Sequence, residues 1–391
     1  MTSSVEPIAA VELRNCLAPA KLNLFLHVLG QRDDGYHDLE TAFELIDLYD
    51  RLHFSVRSDG AIMRRGGIHG LAHDNDLSVR AARLLAGASE TRHGVDIEIE
   101  KHIAMGGGLG GGSSNDATTL LALNRLWNIH WPVARLARLA VQLGADVPVF
   151  VHGTAALASG VGEKLSPLTW PRQIYVVVAP PVTVPTAEIF GADELTRDSK
   201  PIKISPLSSL NAGLIESVGR NDLQAVAFSR YPAVEVALNA LTKCAGEILK
   251  EADRQAKAEA RAEGRAAKAA EKAELEQAEV RQKQQEATGS AAQKQAEVVS
   301  NGKSVPTGHA PGEESESDSE NDAVVPGARW PSARMSGSGG CVFLPVPSYE
   351  VAEQIAESVN KLAVGDAVAV RSLKMHPMRS WAFGRGLPRK S

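Results

Sequence analysis

A-M-G-G-G-L-G-G-G-S-S, residues Ala104 to Ser114, joins a segment patterned as a strand to one patterned as a helix. Upstream, Val95, Ile97 and Ile99 alternate with charge over Gly94 to Glu100, the period-two signature of a half-buried strand. Downstream, about Asn115 to Trp127 reads as a helix. Strand, glycine loop and helix in that order bring backbone N–H groups and a helix N-terminus together on a phosphate. The glycines remove the Cβ atoms that would hold phosphate oxygens off the backbone, and they allow the positive φ angles of a tight wrap. Ser113, Ser114 and Asp116 stand at helix-capping spacing, which a flexible linker would not need. No Gly-Lys-Ser/Thr follows, so the loop is not a P-loop, and Leu109 interrupts the glycine spacing of a dinucleotide fingerprint.

Outward from the loop, the stretch from Cys16 to Leu29 alternates as a strand, with Leu22, Leu24 and Leu26 expected on one face and Lys21 and Asn23 on the other. A lone lysine is usually a solvated surface charge. Opposite a leucine face it also fits a sheet lining a polar cleft, where an ammonium steadies phosphates or supports a reacting hydroxyl. Asp33, Asp34 and Gly35 build a turn ending in Tyr36 and His37, which is either a surface turn or a stack for a planar base. After a helix over roughly Pro132 to Leu143, Asp146 precedes Val147 and Pro148, and Val149 to Val151 reads as extended. Asp146 fits a turn or cap, and equally the acceptor of a hydroxyl proton in phosphoryl transfer. Met335 to Gly340 is a second glycine-rich turn, expected to reinforce phosphate binding, ahead of a strand over Cys341 to Leu344.

The chain has 391 residues, too many for one ordinary compact domain, and its 43% hydrophobic and 23% charged residues suit a soluble globular protein. A formal net charge of -5 argues against nucleic-acid partners, which need clustered Lys and Arg. Cys16, Cys244 and Cys341 lack metal-site or disulfide spacing, which predicts a cytoplasmic protein. M-T-S-S-V-E-P-I has no basic segment followed by an apolar core, and no apolar run reaches membrane-spanning length, so neither export nor a membrane partner is expected.

A domain boundary is expected near Leu165 to Arg172, giving 1–168 and 169–391, the second interrupted by an insertion over 247–325. The insertion begins as an Ala, Glu, Lys, Arg and Gln stretch from about Glu247 to Glu286, which favours helix but offers no face to bury. Ala287 to Ala323, with the acidic run Glu313 to Asp322, is expected to be disordered.

P-A-K-L-N-L-F-L at 19–26, G-Y-H at 35–37, the loop at 105–114, L-G-A-D-V-P-V-F at 143–150 and M-S-G-S-G-G at 335–340 together resemble the GHMP kinase superfamily. Their order spans nearly the whole chain, the long insertion excepted. The resemblance implies an α+β, two-domain fold: an N-terminal domain with a left-handed crossover like that of ribosomal proteins, and a ferredoxin-like C-terminal domain. It implies ATP as phosphoryl donor, held by Ala104, Met105, Gly106, Gly107, Gly108, Leu109, Gly110, Gly111, Gly112, Ser113 and Ser114, with Mg²⁺ expected and its ligands unassigned.

More narrowly, the motifs look like the branch that phosphorylates the 2-hydroxyl of a cytidine diphosphate-linked methylerythritol, a small-molecule substrate. Asp146 then matches the catalytic base and Lys21 its partner. Asn23 would hold substrate hydroxyls or the base, and Tyr36, His37, Thr186 and Phe190 would bind cytosine. Kinases of mevalonate, homoserine or sugars in the same superfamily, and a non-catalytic scaffold, are the competing readings. Asp116 departs from the family's neutral residue and would repel phosphates unless it caps the helix and turns away.

Overall fold

The computed structural model describes residues 12–66, 76–169, 171–202, 219–293 and 332–383. Of the segment expected to be disordered, 294–323 lies outside them. The chain forms two compact units, Met1–Gly246 with Gly327–Ser391, and Glu247–Pro326.

The first unit opens with β1 (Glu12–Gln31) and β2 (His37–Arg57), followed by β3 (Ile62–Arg65), α1 (Leu77–Ser89), β4 (Gly94–Glu100), α2 (Gly111–Leu126), α3 (Val133–Ala140), α4 (Val147–His152), β5 (Ala156–Gly160) and β6 (Lys164–Pro167). Then come β7 (Ile174–Ala179), α5 (Thr186–Phe190), α6 (Gln224–Arg230), α7 (Pro232–Gln293), whose residues from Glu247 on belong to the second unit, and after it β8 (Arg334–Met335), β9 (Val342–Val346), α8 (Tyr349–Asn360), β10 (Asp366–Arg371) and α9 (Pro377–Phe383).

One sheet runs β3-β4-β2-β5-β6, with β1 also paired antiparallel to β2. The second is antiparallel in the order β10-β7-β9-β8. The first sheet packs Leu45, Leu52, Phe54 and Ile97 against helical residues such as Leu120, Leu123, Leu136 and Phe150. Its other side packs Leu22, Leu24 and Phe25 against Tyr175, Val177, Phe343 and Val370 of the second sheet. Burial on both sides explains why the middle of β1 is mostly apolar, and why its buried polar side chains, Lys21, Asn23 and His27, need a reason.

Three local readings change. A bulge between Asn23 and Phe25 breaks the alternation of β1, so Leu26 lines a cavity with Lys21 and Asn23 while Phe25 takes the core position beside Leu22 and Leu24. The helix after the glycine loop starts at Gly111, earlier than expected: Gly110 at φ 71° forms its N-cap with no side-chain hydrogen bond, so Ser113, Ser114 and Asp116 are helical residues rather than caps. Val147 to His152 is helical, not extended, because Asp146 is already in the right-handed region and Pro148 falls in the first turn, where no N–H is needed.

Along α7, Val234, Ala237, Leu241, Cys244, Ala245 and Leu249 are buried at helical spacing. In the second unit, every described side chain after Asp253 is exposed. That stretch is helical by propensity, with i to i+4 ion pairs at Asp253–Lys257 and Lys272–Glu276.

Candidate active site

A cavity of about 940 Å³ in the first unit is lined by β1, the β1–β2 turn, the glycine loop, the N-termini of α1 and α2, Asp146, α5 and the second glycine turn. Lys21, Asn23, Tyr36, His37, Ala104 to Ser113, Asp146, Thr186 and Phe190 all line it. Ser114 does not; it is fully buried in the first turn of α2.

Lys21 is the electrostatic centre. Only 3% of its side chain is exposed, and its three ammonium donors are matched by Asn23 Oδ1, the Gly108 carbonyl at 2.9 Å and Asp146 Oδ2 at 3.4 Å. An ammonium only donates, so the Asn23 carbonyl must face Lys21, and the Asn23 amide donates to Thr41 Oγ1 at 2.9 Å. Thr41 donates its own hydroxyl proton to the Phe25 carbonyl. The Lys21 backbone N–H donates to the Leu109 carbonyl at 2.9 Å, tying the strand to the glycine loop. Asp146, 35% exposed, offers its remaining carboxylate surface to the cavity.

The two glycine turns do different work. The first holds Gly106, Gly108 and Gly110 at positive φ, a run of backbone N–H groups that can face an anion. The second packs against the first: a Cβ on Gly339 would lie 2.0 Å from Gly108 N, and one on Gly108 would lie 2.1 Å from the Ser336 carbonyl. Cys341 N–H donates to the Gly107 carbonyl, and Ser336 Oγ accepts from Asn23 N–H. Met335 to Gly340 is thus chiefly a buttress, with Gly337 and Ser338 reaching the cavity. Asn221, to which the sequence assigned no role, holds this buttress by donating to the Met335 and Gly337 carbonyls at 3.0 and 2.7 Å.

Asp116 neither caps nor faces the cavity. Burial pushes its carboxyl well above the usual carboxylate range against the pull of Arg80, with Asp76 adding to the rise. Burial thus disfavours the charge that would repel phosphates. Sequence reasoning missed Lys101 and Asp50, which are 51 positions apart: Asp50 is fully buried, pairs with Lys101, and accepts the His102 and Ile103 N–H groups at 2.8 and 2.9 Å. They pin the chain where it enters the glycine loop, and Lys101 lines the cavity.

At the far end, Tyr36 is 64% exposed on a turn closed by Asp34 and Gly35. The rings of His37 and Phe190 lie 5.2 Å apart at 35°, and Thr186 Oγ1 is 2.7 Å from Ser338 Oγ. Arg197 donates Nε–H to His37 Nε2 at 3.1 Å. Burial, and secondarily the Arg197 charge, lowers the His37 pKa.

Two sheets, a glycine loop opening a helix, and a Lys–Asp pair over that loop define a small-molecule kinase fold. Residues 76–154 match the family of GHMP kinases by its N terminal domain, and residues 309–365 match it by its C terminal description. The chain is 54% identical over 233 residues to a 4-diphosphocytidyl-2-C-methyl-D-erythritol kinase of Aromatoleum aromaticum, covering 60% of this chain and 80% of that one. It is 55% identical over 225 residues to the protein of the same name in Burkholderia thailandensis, covering 57% and 77%. A crystal structure of 4-(cytidine 5'-diphospho)-2C-methyl-D-erythritol kinase superposes with a TM-score of 0.58 at 27% identity, covering 93% of this chain and 99% of that one. The chain belongs to the GHMP kinases.

Proposed function

We infer that this chain transfers the γ-phosphoryl group of ATP to the 2-hydroxyl of 4-diphosphocytidyl-2-C-methyl-D-erythritol. The observation that carries the reading is the Lys21–Asp146 pair, 3.4 Å apart, lining one cavity with the glycine loop and the His37–Phe190 ring pair. A phosphate cradle, a reaction centre and a base clamp in one continuous space suit a nucleotide donor and a nucleotide-linked acceptor. The names of the relatives support the acceptor. No helix among the described residues is long and apolar enough to cross a membrane, and the three buried, unpaired cysteines suit the cytoplasm.

In this reading, backbone N–H groups of Gly106 to Gly112 and the N-terminus of α2 hold the ATP phosphates. Asp146 accepts the proton of the attacking hydroxyl and aims its oxygen along the line of transfer. Lys21 orients Asp146 and adds positive charge beside the oxygens that gain charge in the transition state. Asn23 sets Lys21 in place. Tyr36, His37, Thr186 and Phe190 hold the cytosine. Mg²⁺ would arrive with the nucleotide, and Asp146, whose carboxylate is 35% exposed and lines the cavity, is the residue that would face it. When bound, it neutralises phosphate charge.

ADP release from ATP, measured with the cytidine diphosphate-linked substrate beside mevalonate and homoserine, tests the assignment. Turnover is expected with the first alone. Preference for another acceptor, or no turnover with any, would overturn it.

A further inference from the structure

Arg197 lies outside the cavity lining, yet it binds both walls of the proposed base clamp. Its Nε–H reaches His37 Nε2 at 3.1 Å, and one Nη donates to the Phe190 and Ala192 carbonyls at 3.1 and 2.7 Å. The other Nη reaches the Leu195 carbonyl at 3.3 Å. One half-buried guanidinium therefore ties the start of β2 to the end of α5, across 160 positions of sequence.

That contact also dictates chemistry. A guanidinium has no lone pair and keeps its protons, so His37 Nε2 must supply the acceptor. A doubly protonated ring would set two donors against each other. The proton of the neutral ring then sits on Nδ1, and among the described residues the His37 ring makes no other hydrogen bond. His37 lines the cavity, and the one polar group its ring has left to offer a ligand is the Nδ1–H donor. A donor complements the bare N3 of cytosine and opposes the N3–H of uracil, and a polar mismatch of this kind discriminates strongly because both groups are left unpaired.

We propose that Arg197 is the positioning residue of the base clamp: it locks His37 in the Nδ1–H tautomer, holds Phe190 against it, and so sets the preference for a cytidine over a uridine nucleotide. This rests on the cytidine-linked acceptor proposed above. The bland alternative, that Arg197 merely braces the segment after α5, predicts a general loss of stability without a change in base preference.

The test compares Arg197→Ala and Arg197→Lys with the wild type, using the cytidine- and uridine-diphosphate forms of the acceptor. In Arg197→Ala, KM for the cytidine form is expected to rise about tenfold or more, with KM for ATP within about twofold. The cytidine-over-uridine ratio of kcat/KM is expected to fall by a similar factor. Arg197→Lys, which can still donate one hydrogen bond to His37, should recover part of the ratio. An unchanged ratio in Arg197→Ala overturns the inference. If the variants fail to fold, nitrogen NMR of wild-type His37 decides: a protonated Nδ1 and bare Nε2 support it, and a protonated Nε2 overturns it. Wild-type inactivity on the cytidine form would instead defeat the functional reading, and is read separately.

Discussion

Lys21 Nζ lies 3.4 Å from Asp146 Oδ2 while donating to Asn23 Oδ1 and to the Gly108 carbonyl. One ammonium thus joins the proposed base to the backbone of the phosphate loop. Groups acting as one unit lose function non-additively. Asp146→Asn and Lys21→Met are each expected to lower kcat by about 10²–10⁴-fold. The double variant should fall no more than about tenfold below the weaker single one. Steady-state kinetics of the three variants checks this, and multiplied losses would mean that the two residues act independently.

The packing of one glycine turn against the other leaves no room for a side chain at Gly108. Its φ is +75°, and an added Cβ would meet the Ser336 carbonyl at 2.1 Å, backbone that has no easy way to yield. Gly108→Ala should cost about 3 kcal/mol or more and raise KM for ATP about tenfold. Gly87→Ala is the control: on an exposed turn of α1, with nothing within 4 Å of the new Cβ, it should stabilise by up to about 1 kcal/mol. Chemical denaturation of both variants measures the contrast, and equal effects would refute the buttress assignment of Met335 to Gly340.

The strands and the strand, glycine loop and helix succession were legible because their signals are local: alternation over Gly94 to Glu100 gave β4 to the residue. Local signals also misled. Pro148 read as a helix breaker, yet it sits in the first turn of α4, and Ser113 read as a cap where Gly110 caps by its backbone alone. The face of Leu26 depended on a bulge, which no alternation predicts. Lys101–Asp50, Arg197–His37 and Asn221 with its two carbonyls join residues 51, 160 and more than 110 positions apart, so only the folded chain reveals them. The second glycine turn resembled another cradle because glycine permits close approach without naming what approaches, and here it is the first loop.

His376, fully buried at the start of α9, accepts the Met378 N–H on Nδ1 at 3.1 Å, so its Nε2–H donates to Thr118 Oγ1 at 3.2 Å on α2. Burial lowers its pKa from 6.5 to about 3. The unfolded chain therefore binds a proton below about pH 6.5 that the folded chain refuses until about pH 3. The resulting destabilisation is absent above pH 6.5 and grows as pH falls through that window, at up to about 1.4 kcal/mol per pH unit. His376→Gln, which keeps one donor and one acceptor, should lose this acid sensitivity. The difference in unfolding free energy between wild type and variant, followed from about pH 7 to about pH 4, tests it. A difference independent of pH would show that the ring is not held neutral.

The apolar stripe of α7 ends at Leu249, while the helix continues to Gln293 and its described side chains after Asp253 are exposed. A helix without a buried face adds little to a core, because its stability comes from propensity and exposed ion pairs worth a few tenths of a kcal/mol each. Deleting Ala252 to Ala323 keeps every buried residue of α7 and exchanges a long connection for a short one, which lowers the entropy cost of closure. The shortened chain is therefore expected to retain kcat and both KM values within about twofold, with a Tm no lower than wild type. Kinetics and thermal unfolding of the deletion variant check this. A collapse of either would show that the segment braces the catalytic unit, whereas unchanged values would leave it a tolerated insertion on an intact kinase.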